Sequence, residues 1–473
     1  MANMRTSLVL GLLGALLHQT QAVPTSTVKE VELEARQNNP LGLVVANIEN
    51  LLNETVTNPP TNNLFGRIED SLKAVTSTAV PVSLPAAFND LQNILVGGAK
   101  PSNIYGYVAS LVSAGLSKDN IPDLLNFVKG VGSSAQANGE NSFNNVNPIQ
   151  PATNIYPKAN PQDAPYSLSE ESLRAAIHIP SSFQYGRSGA PNPIILTPGT
   201  GATGYLTFIG NMIPLLQGSS IADPVWLNIP GYLLGDVQQN AEYVAYAVNY
   251  ISGISGNRNV SVAGWSQGSL DGQWAWKYWP SARRLVTDFI TFSGDFAGSI
   301  FGTFLATPGI PLPPAYVQQA AGSNFINTLR SNGGDSAYVP TTSIYSSFFD
   351  EIVQPQTGTA ASAFIRDARN VGVSNTEVQQ VCSGAPAGSL YTHEGVMYNP
   401  LSFALLQDAL AHPGPGQVSR IPNLQQLCEN FLAPGLGLTD FLLTENSIVA
   451  AVLTTVTYPQ KVIVEPPIKA YAQ

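Results

Sequence analysis

Gly264-Trp265-Ser266-Gln267-Gly268 sets a serine between two glycines in a Gly-x-Ser-x-Gly pattern. That spacing suits a chain turning abruptly from a strand into a helix, where the hydroxyl stands clear of both elements and only glycine fits beside it. The flanks agree. β-Branched and small residues fill 260–263, and 270–278 reads as a helix closed by Pro280. In a chain with 41 glycines the same five residues also arise as an ordinary glycine-rich turn, so a nucleophilic reading of Ser266 depends on its partners.

A serine attacks a carbonyl only when a base takes its proton, and an acid must hold that base in the right tautomer. The chain has four histidines, His18, His178, His393 and His412. His18 falls in an N-terminal apolar segment and His178 precedes the serine, whereas enzymes built on this turn run nucleophile, acid, histidine along the chain. His393, in Leu390-Tyr391-Thr392-His393-Glu394-Gly395, is preferred to His412, which opens the turn Pro413-Gly414-Pro415-Gly416. Asp350 and Asp295 each follow a strand-like run. Asp350 is the preferred acid, with Glu351 beside it pointing elsewhere, and Asp295 reads as a structural carboxylate bonded to loop amides.

These residues need a scaffold. From 167 onward strands alternate with helices, the pattern of a parallel sheet covered on both faces. Strands are expected at 193–197, 225–229, 260–263, 286–292 and 340–346, with helices over 237–251 and 316–330. After the first of these strands comes Pro198-Gly199-Thr200-Gly201-Ala202-Thr203-Gly204. It lacks the spacing of a nucleotide loop, and its glycines let a substrate approach main-chain N–H groups that could hold an oxyanion. The small and apolar run 296–306 reads as a lid or acyl-pocket wall, or equally as a buried helix.

Upstream, residues 37–136 show helical periodicity over 41–56, 64–78, 84–96, 103–116 and 121–131, and form a helical cap or pro-domain. Residues 137–166 are rich in Asn and Pro and read as a linker. The catalytic domain spans 167–473. Residues 1–22 have the layout of a secretory signal, with Arg5, an apolar stretch 7–17 and the small-residue site Thr20-Gln21-Ala22, and 23–36 reads as a short propeptide.

The chain of 473 residues is 44% hydrophobic and 11% charged, with 31 acidic against 21 basic residues. An acidic balance excludes nucleic acid as an expected partner, and no run is long enough to cross a membrane. Secretion would join Cys382 to Cys428, the only two cysteines, across a loop of about 45 residues. Asn53-Glu54-Thr55 and Asn259-Val260-Ser261 are glycosylation sequons.

Four blocks of the chain resemble the Candida antarctica lipase B family of fungal lipases: Thr197-Pro198-Gly199-Thr200-Gly201, Trp265-Ser266-Gln267-Gly268, Asp350-Glu351-Ile352-Val353-Gln354-Pro355-Gln356, and the His393 loop with Cys382 and Cys428 around it. The resemblance runs from about Pro193 to Glu465-Pro466-Pro467 and implies an α/β-hydrolase, a mostly parallel sheet flanked by helices, here with an all-helical N-terminal extension. It implies a triad of Ser266, Asp350 and His393, oxyanion donors at Thr200 and Gln267, and Trp265 lining the alcohol side of the pocket. It also implies lipid or small-ester substrates, transient contact with an oil–water interface, and neither metal nor cofactor. The chain departs from the family pattern at Gly264, where the family has Thr, and at Thr392, where it has Asp. The segment before Gln136 has no counterpart in the compact form of the family. An amidase or peptidase would use the same triad, and a non-catalytic secreted protein on the same scaffold would need none of it.

Overall fold

The computed structural model describes residues 64–77, 81–96, 103–128, 139–300 and 311–473. The signal and propeptide segments, the helix expected over 41–56 and the Asn53 sequon lie outside the described residues. So do residues 301–310, most of the expected lid.

Among the described residues seven strands form one sheet: β1 Ile177–His178, β2 Pro193–Thr197, β3 Asp223–Leu227, β4 Val260–Trp265, β5 Val286–Phe292, β6 Thr341–Tyr345 and β7 Val373–Glu377, in the order β1-β3-β2-β4-β5-β6-β7. Only β1 runs antiparallel to its neighbour. Strands β2, β3, β4 and β6 are buried at every position, as expected for a parallel sheet whose faces are both covered by helices. The strand order turns back on itself at β2. The chain goes from β2 to β3 on the side that ends in β1, then crosses back to β4 and runs outward to β7 on the other. In open α/β sheets such a switch point opens a crevice beyond the strand ends, and here the loops after β2 and β4 meet in it. Register brings those ends level, pairing Thr197 with Gly264, Trp265 with Phe292 and Phe292 with Ile344.

Two strands escape sequence reading. β1 is two residues long, and β7 (Val373-Ser374-Asn375-Thr376-Glu377) is a polar edge strand with little apolar signal. The expected single helix over 316–330 is two short ones, Pro314–Gln318 and Asn324–Arg330. Gly322 at φ +82° breaks the first, and Ser323 caps the second by accepting the Ile326 N–H. Over 296–299 the chain forms a turn, with Ser299 bridging to Ala320, and a helical residue follows at Ile300.

Four helices of the N-terminal region are described: α1 Leu64–Lys73, α2 Leu84–Val96, α3 Ile104–Ser113 and α4 Ile121–Val128. Their apolar faces do not close on each other alone. They share a core with Tyr391, Tyr398, Phe441, Val449 and Leu453, so they dock on the stretch around His393 and on the long helix Leu438–Thr457. Phe88 alone meets the rings of Tyr391, Tyr398, Phe431 and Phe441, with centroids 4.6–6.0 Å apart. Helices this short are unstable unless an apolar face is covered, and the long helix, buried on nearly all sides from Phe441 to Val456, covers it.

Residues 139–166 contain no helix or strand, as their composition dictates, yet they are bound along their length. The Glu140 carbonyl accepts from Trp226 Nε1 and Asn228 Nδ2, and Asn147 Nδ2 donates to the Arg174 and Ile177 carbonyls. Ile155, Ala164 and Tyr166 enter the sheet's helix-covered core.

Candidate active site

Ser266 ends β4 at φ +53°, ψ −123°, a region that a residue with a side chain occupies only under strain. The neighbouring glycines are sterically required. A Cβ on Gly264 would lie 2.8 Å from the Gly268 carbonyl group, and one on Gly268 would lie 2.5 Å from the Thr197 carbonyl oxygen. Strand and helix cross too closely here for a methyl group. The Ser266 N–H donates to the Phe292 carbonyl at 3.0 Å, which ties the turn to β5. Gln267 is the first residue of the helix Gln267–Tyr278, so its N–H is one of those a helix leaves without an intrahelical acceptor.

The loop after β2 supplies the opposite wall. Gly199 lies so close to the elbow that a Cβ there would meet the Trp265 ring at 2.5 Å and Ser266 Cβ at 3.0 Å. Thr200 Oγ1 donates to Gln267 Oε1 at 2.7 Å, and Gln319 Nε2 donates both to Thr200 Oγ1 (2.9 Å) and to Gln267 Oε1 (3.0 Å). The structure thus brings Thr200 and Gln267 side by side and adds Gln319, which sequence reading missed. Gln319 lies within Val317-Gln318-Gln319-Ala320, where no charge or motif marks it.

His393 is buried. Its Nδ1 lies 2.8 Å from Asp350 Oδ2, while Asp350 Oδ1 accepts the N–H groups of Ile352 (3.0 Å) and Val353 (2.7 Å). One carboxylate oxygen is therefore fixed by main chain, and the other faces the imidazole, with Gln356 Nε2 a longer donor at 3.5 Å. The His393 carbonyl accepts from Trp265 Nε1 (3.0 Å) and Ser293 Oγ (2.8 Å), and its N–H donates to Glu351 Oε2 (2.9 Å). His393 Nε2 is buried and bonds to no protein group. Trp265 packs its ring 5.1 Å from the imidazole and is itself buried. Cys382 and Cys428 form a disulfide, with Cα atoms 5.4 Å apart, that closes the loop containing His393.

The rival residues lie apart from this constellation. His412 is half exposed and bonds to Asp408, which also holds Arg420. His178 stacks on Trp226 at 4.5 Å, with Nδ1 against Asn145. Asp295 is buried, and its bond is to the Ser362 hydroxyl (3.1 Å), where loop amides were expected. Burial, reinforced by the Asp350 carboxyl, pushes its carboxyl well above the usual range. Asn259 is exposed at the foot of β4.

The sheet, its switch point and the strained serine turn at the end of β4 define an α/β-hydrolase. No family model matches the sequence. The chain is 35% identical over 227 residues to lipase B of Pseudozyma antarctica, a match spanning 47% of this chain and 63% of that protein. It superposes on the crystal structure of Aspergillus fumigatus lipase B with a TM-score of 0.79 and 43% identity, covering 91% of this chain and 100% of the other. That share is larger than the sheet-bearing region alone, so the likeness extends into the helical region. The chain belongs to the lipase B family of fungal lipases.

Proposed function

We propose that this protein is a secreted serine lipase or carboxylesterase that cleaves acylglycerols and related esters through Ser266, His393 and Asp350. The observation that carries the reading is the buried Asp350–His393 pair at 2.8 Å, in a loop whose carbonyl is bonded to Trp265, the neighbour of the strained Ser266. With Asp350 accepting the Nδ1 proton, His393 Nε2 is the lone-pair nitrogen and takes the Ser266 proton as Oγ attacks the ester carbonyl. The N–H groups of Thr200 and Gln267 receive the developing oxyanion. The Thr200 hydroxyl becomes a third donor by turning from Gln267 Oε1. Collapse of the tetrahedral intermediate breaks the C–O bond, and the departing alcohol takes the proton back from His393. Water, deprotonated by the same nitrogen, then frees the acid and restores Ser266.

Ester chemistry is favoured by the surroundings. Phe348, 68% exposed with its ring 4.1 Å from that of Phe349, stands two residues before Asp350, and exposed Ile300 is bonded through its N–H to the Gln354 carbonyl of the same loop. Apolar side chains there suit contact with a lipid phase. No described helix is long and apolar enough to cross a membrane. The disulfide supports an oxidising, extracellular destination, in line with the signal-like N-terminus.

The test is hydrolysis of p-nitrophenyl esters from acetate to palmitate by the full-length protein beside Ser266→Ala. The wild type is expected to turn over and the variant to fall to background. Equal activity of the two would remove Ser266 from the chemistry.

A further inference from the structure

Behind the imidazole three more carboxyl groups are sealed from water. Glu351 follows Asp350, Glu394 follows His393, and Glu445 comes from the middle of the helix Leu438–Thr457, whose other buried side chains are mostly apolar. Glu394 and Glu445 are buried outright, and Glu351 buries its carboxyl end although the residue as a whole is half-buried. Glu351 Oε2 receives the His393 N–H. Glu445 Oε1 receives the Tyr398 hydroxyl at 2.8 Å and the Thr392 hydroxyl at 3.4 Å, and Thr392 Oγ1 in turn receives the Gly395 N–H at 2.9 Å. Thr392 and His393 are thereby tied to one helix and one loop through carboxyl groups.

Four oxygens of this cluster, Glu351 Oε1, both of Glu394 and Glu445 Oε2, are buried with no N–H or hydroxyl donor. Adjacent buried carboxylates cannot all be ionised, because each charge is desolvated and repelled by the next. The donors that satisfy such oxygens are the carboxyl protons themselves. Burial and the facing Glu351 and Glu445 charges push Glu394 well above the usual carboxyl range, and burial raises Glu351 and Glu445 as well. The other titratable groups facing the cluster are Asp350 and His393 against Glu351, Tyr398 from the turn after His393, and Tyr107 from α3 of the helical region.

We propose that Glu394 is a positioning residue: held as a neutral acid, it shares its proton with Glu351 and Glu445, and this bridge holds the His393 loop in register with the helix Leu438–Thr457. The proposal rests on the serine-hydrolase reading above. When the bridging proton is lost at alkaline pH, repulsion between the carboxylates draws Glu351 away from the His393 N–H and loosens the base. The high-pH limit of the reaction is therefore set by the bridge as well as by the triad. Because Tyr107 covers the cluster, docking of the helical region keeps the bridge dry.

The experiment measures kcat and KM of the full-length protein on a soluble p-nitrophenyl ester from about pH 5 to about pH 10, for wild type, Glu394→Ala, Glu394→Gln and Glu445→Gln. Glu394→Ala is expected to lose kcat on the order of ten- to a hundredfold with KM nearly unchanged, the signature of a displaced base. Glu394→Gln, uncharged and of the same shape, is expected to restore most of that loss and to extend the alkaline limb by about one pH unit. Wild-type kcat in Glu394→Ala, or a Glu394→Gln profile that superimposes on wild type, would overturn the proposal. If Glu394→Ala fails to fold, the alkaline limbs of the two glutamine variants decide. Extension in both supports the bridge, and wild-type limbs refute it. Activity surviving in Ser266→Ala would instead overturn the underlying hydrolase reading, so the two failures are distinct.

Discussion

Replacing Asp350 by Asn tests the assignment of the acid with the least disturbance. Asp350 Oδ1 accepts the Ile352 and Val353 N–H groups at 3.0 and 2.7 Å, and an asparagine oxygen would keep both bonds. The amide nitrogen would then take the place of Oδ2, 2.8 Å from His393 Nδ1, and present a donor where an acceptor had been. The imidazole can meet that donor only by moving its proton to Nε2, the nitrogen that must accept from Ser266. The reversed amide is worse, because its nitrogen would face two main-chain N–H groups. With the tautomer inverted, kcat should fall about ten-thousandfold, as this exchange does in other serine triads, which corresponds to about 5 kcal/mol of barrier. The assay is steady-state and burst-phase hydrolysis of p-nitrophenyl butyrate, with thermal unfolding to show that the fold survives. Asp295→Asn is the matched control. Burial pushes the Asp295 carboxyl well above the usual range and its bond is to the Ser362 hydroxyl, away from His393, so the exchange should leave kcat/KM within about threefold. Asp350→Asn retaining more than about a tenth of wild-type kcat/KM, or equal losses in the two variants, would refute the assignment.

Other expectations follow from the same geometry. Gly268→Ala drives a methyl group to 2.5 Å from the Thr197 carbonyl oxygen, so it should cost at least about 1–3 kcal/mol and displace the elbow; calorimetry and labelling of Ser266 by a phosphonate measure the two effects. Replacing Cys382 and Cys428 together by Ala releases a loop of 46 residues and should cost roughly 4 kcal/mol in the chain-entropy description, read from the urea midpoint. Burial pushes Glu351 up to about 7 and Glu445 up to about 8. Folded values above the ordinary carboxyl value of about 4.3 mean that their stabilising contribution is complete below that pH and is lost as pH rises through the folded values. The urea midpoint should thus fall between about pH 5 and about pH 9, and fall less in Glu445→Gln; a midpoint that rises across this range would contradict the burial of neutral acids.

Much of this molecule is legible in the amino-acid chain because local chemistry dictates it. Continuous apolar runs such as Pro193–Thr197 and Val286–Phe292 can be satisfied only by a strand buried on both faces, and those bounds stand. The glycines around Ser266 announce a turn too tight for side chains, and the backbone there is strained as the pattern requires. Two cysteines allow one pairing, and it is formed. What lies beyond local chemistry needed the tertiary structure. β7 is polar because it is an edge, a property of its neighbours and not of its residues. The break at Gly322 turns on one positive φ within a helix-like run. Gln319, Glu394 and Glu445 stand far apart in the chain and carry no motif, and they acquire meaning only where the fold buries them against Thr200, Gln267 and the His393 loop. Short-range patterning determines which elements form, because it acts through backbone geometry and the exclusion of water. Which polar groups then share a buried space is decided by packing across hundreds of residues, and that space is where a carboxyl keeps or gives up its proton.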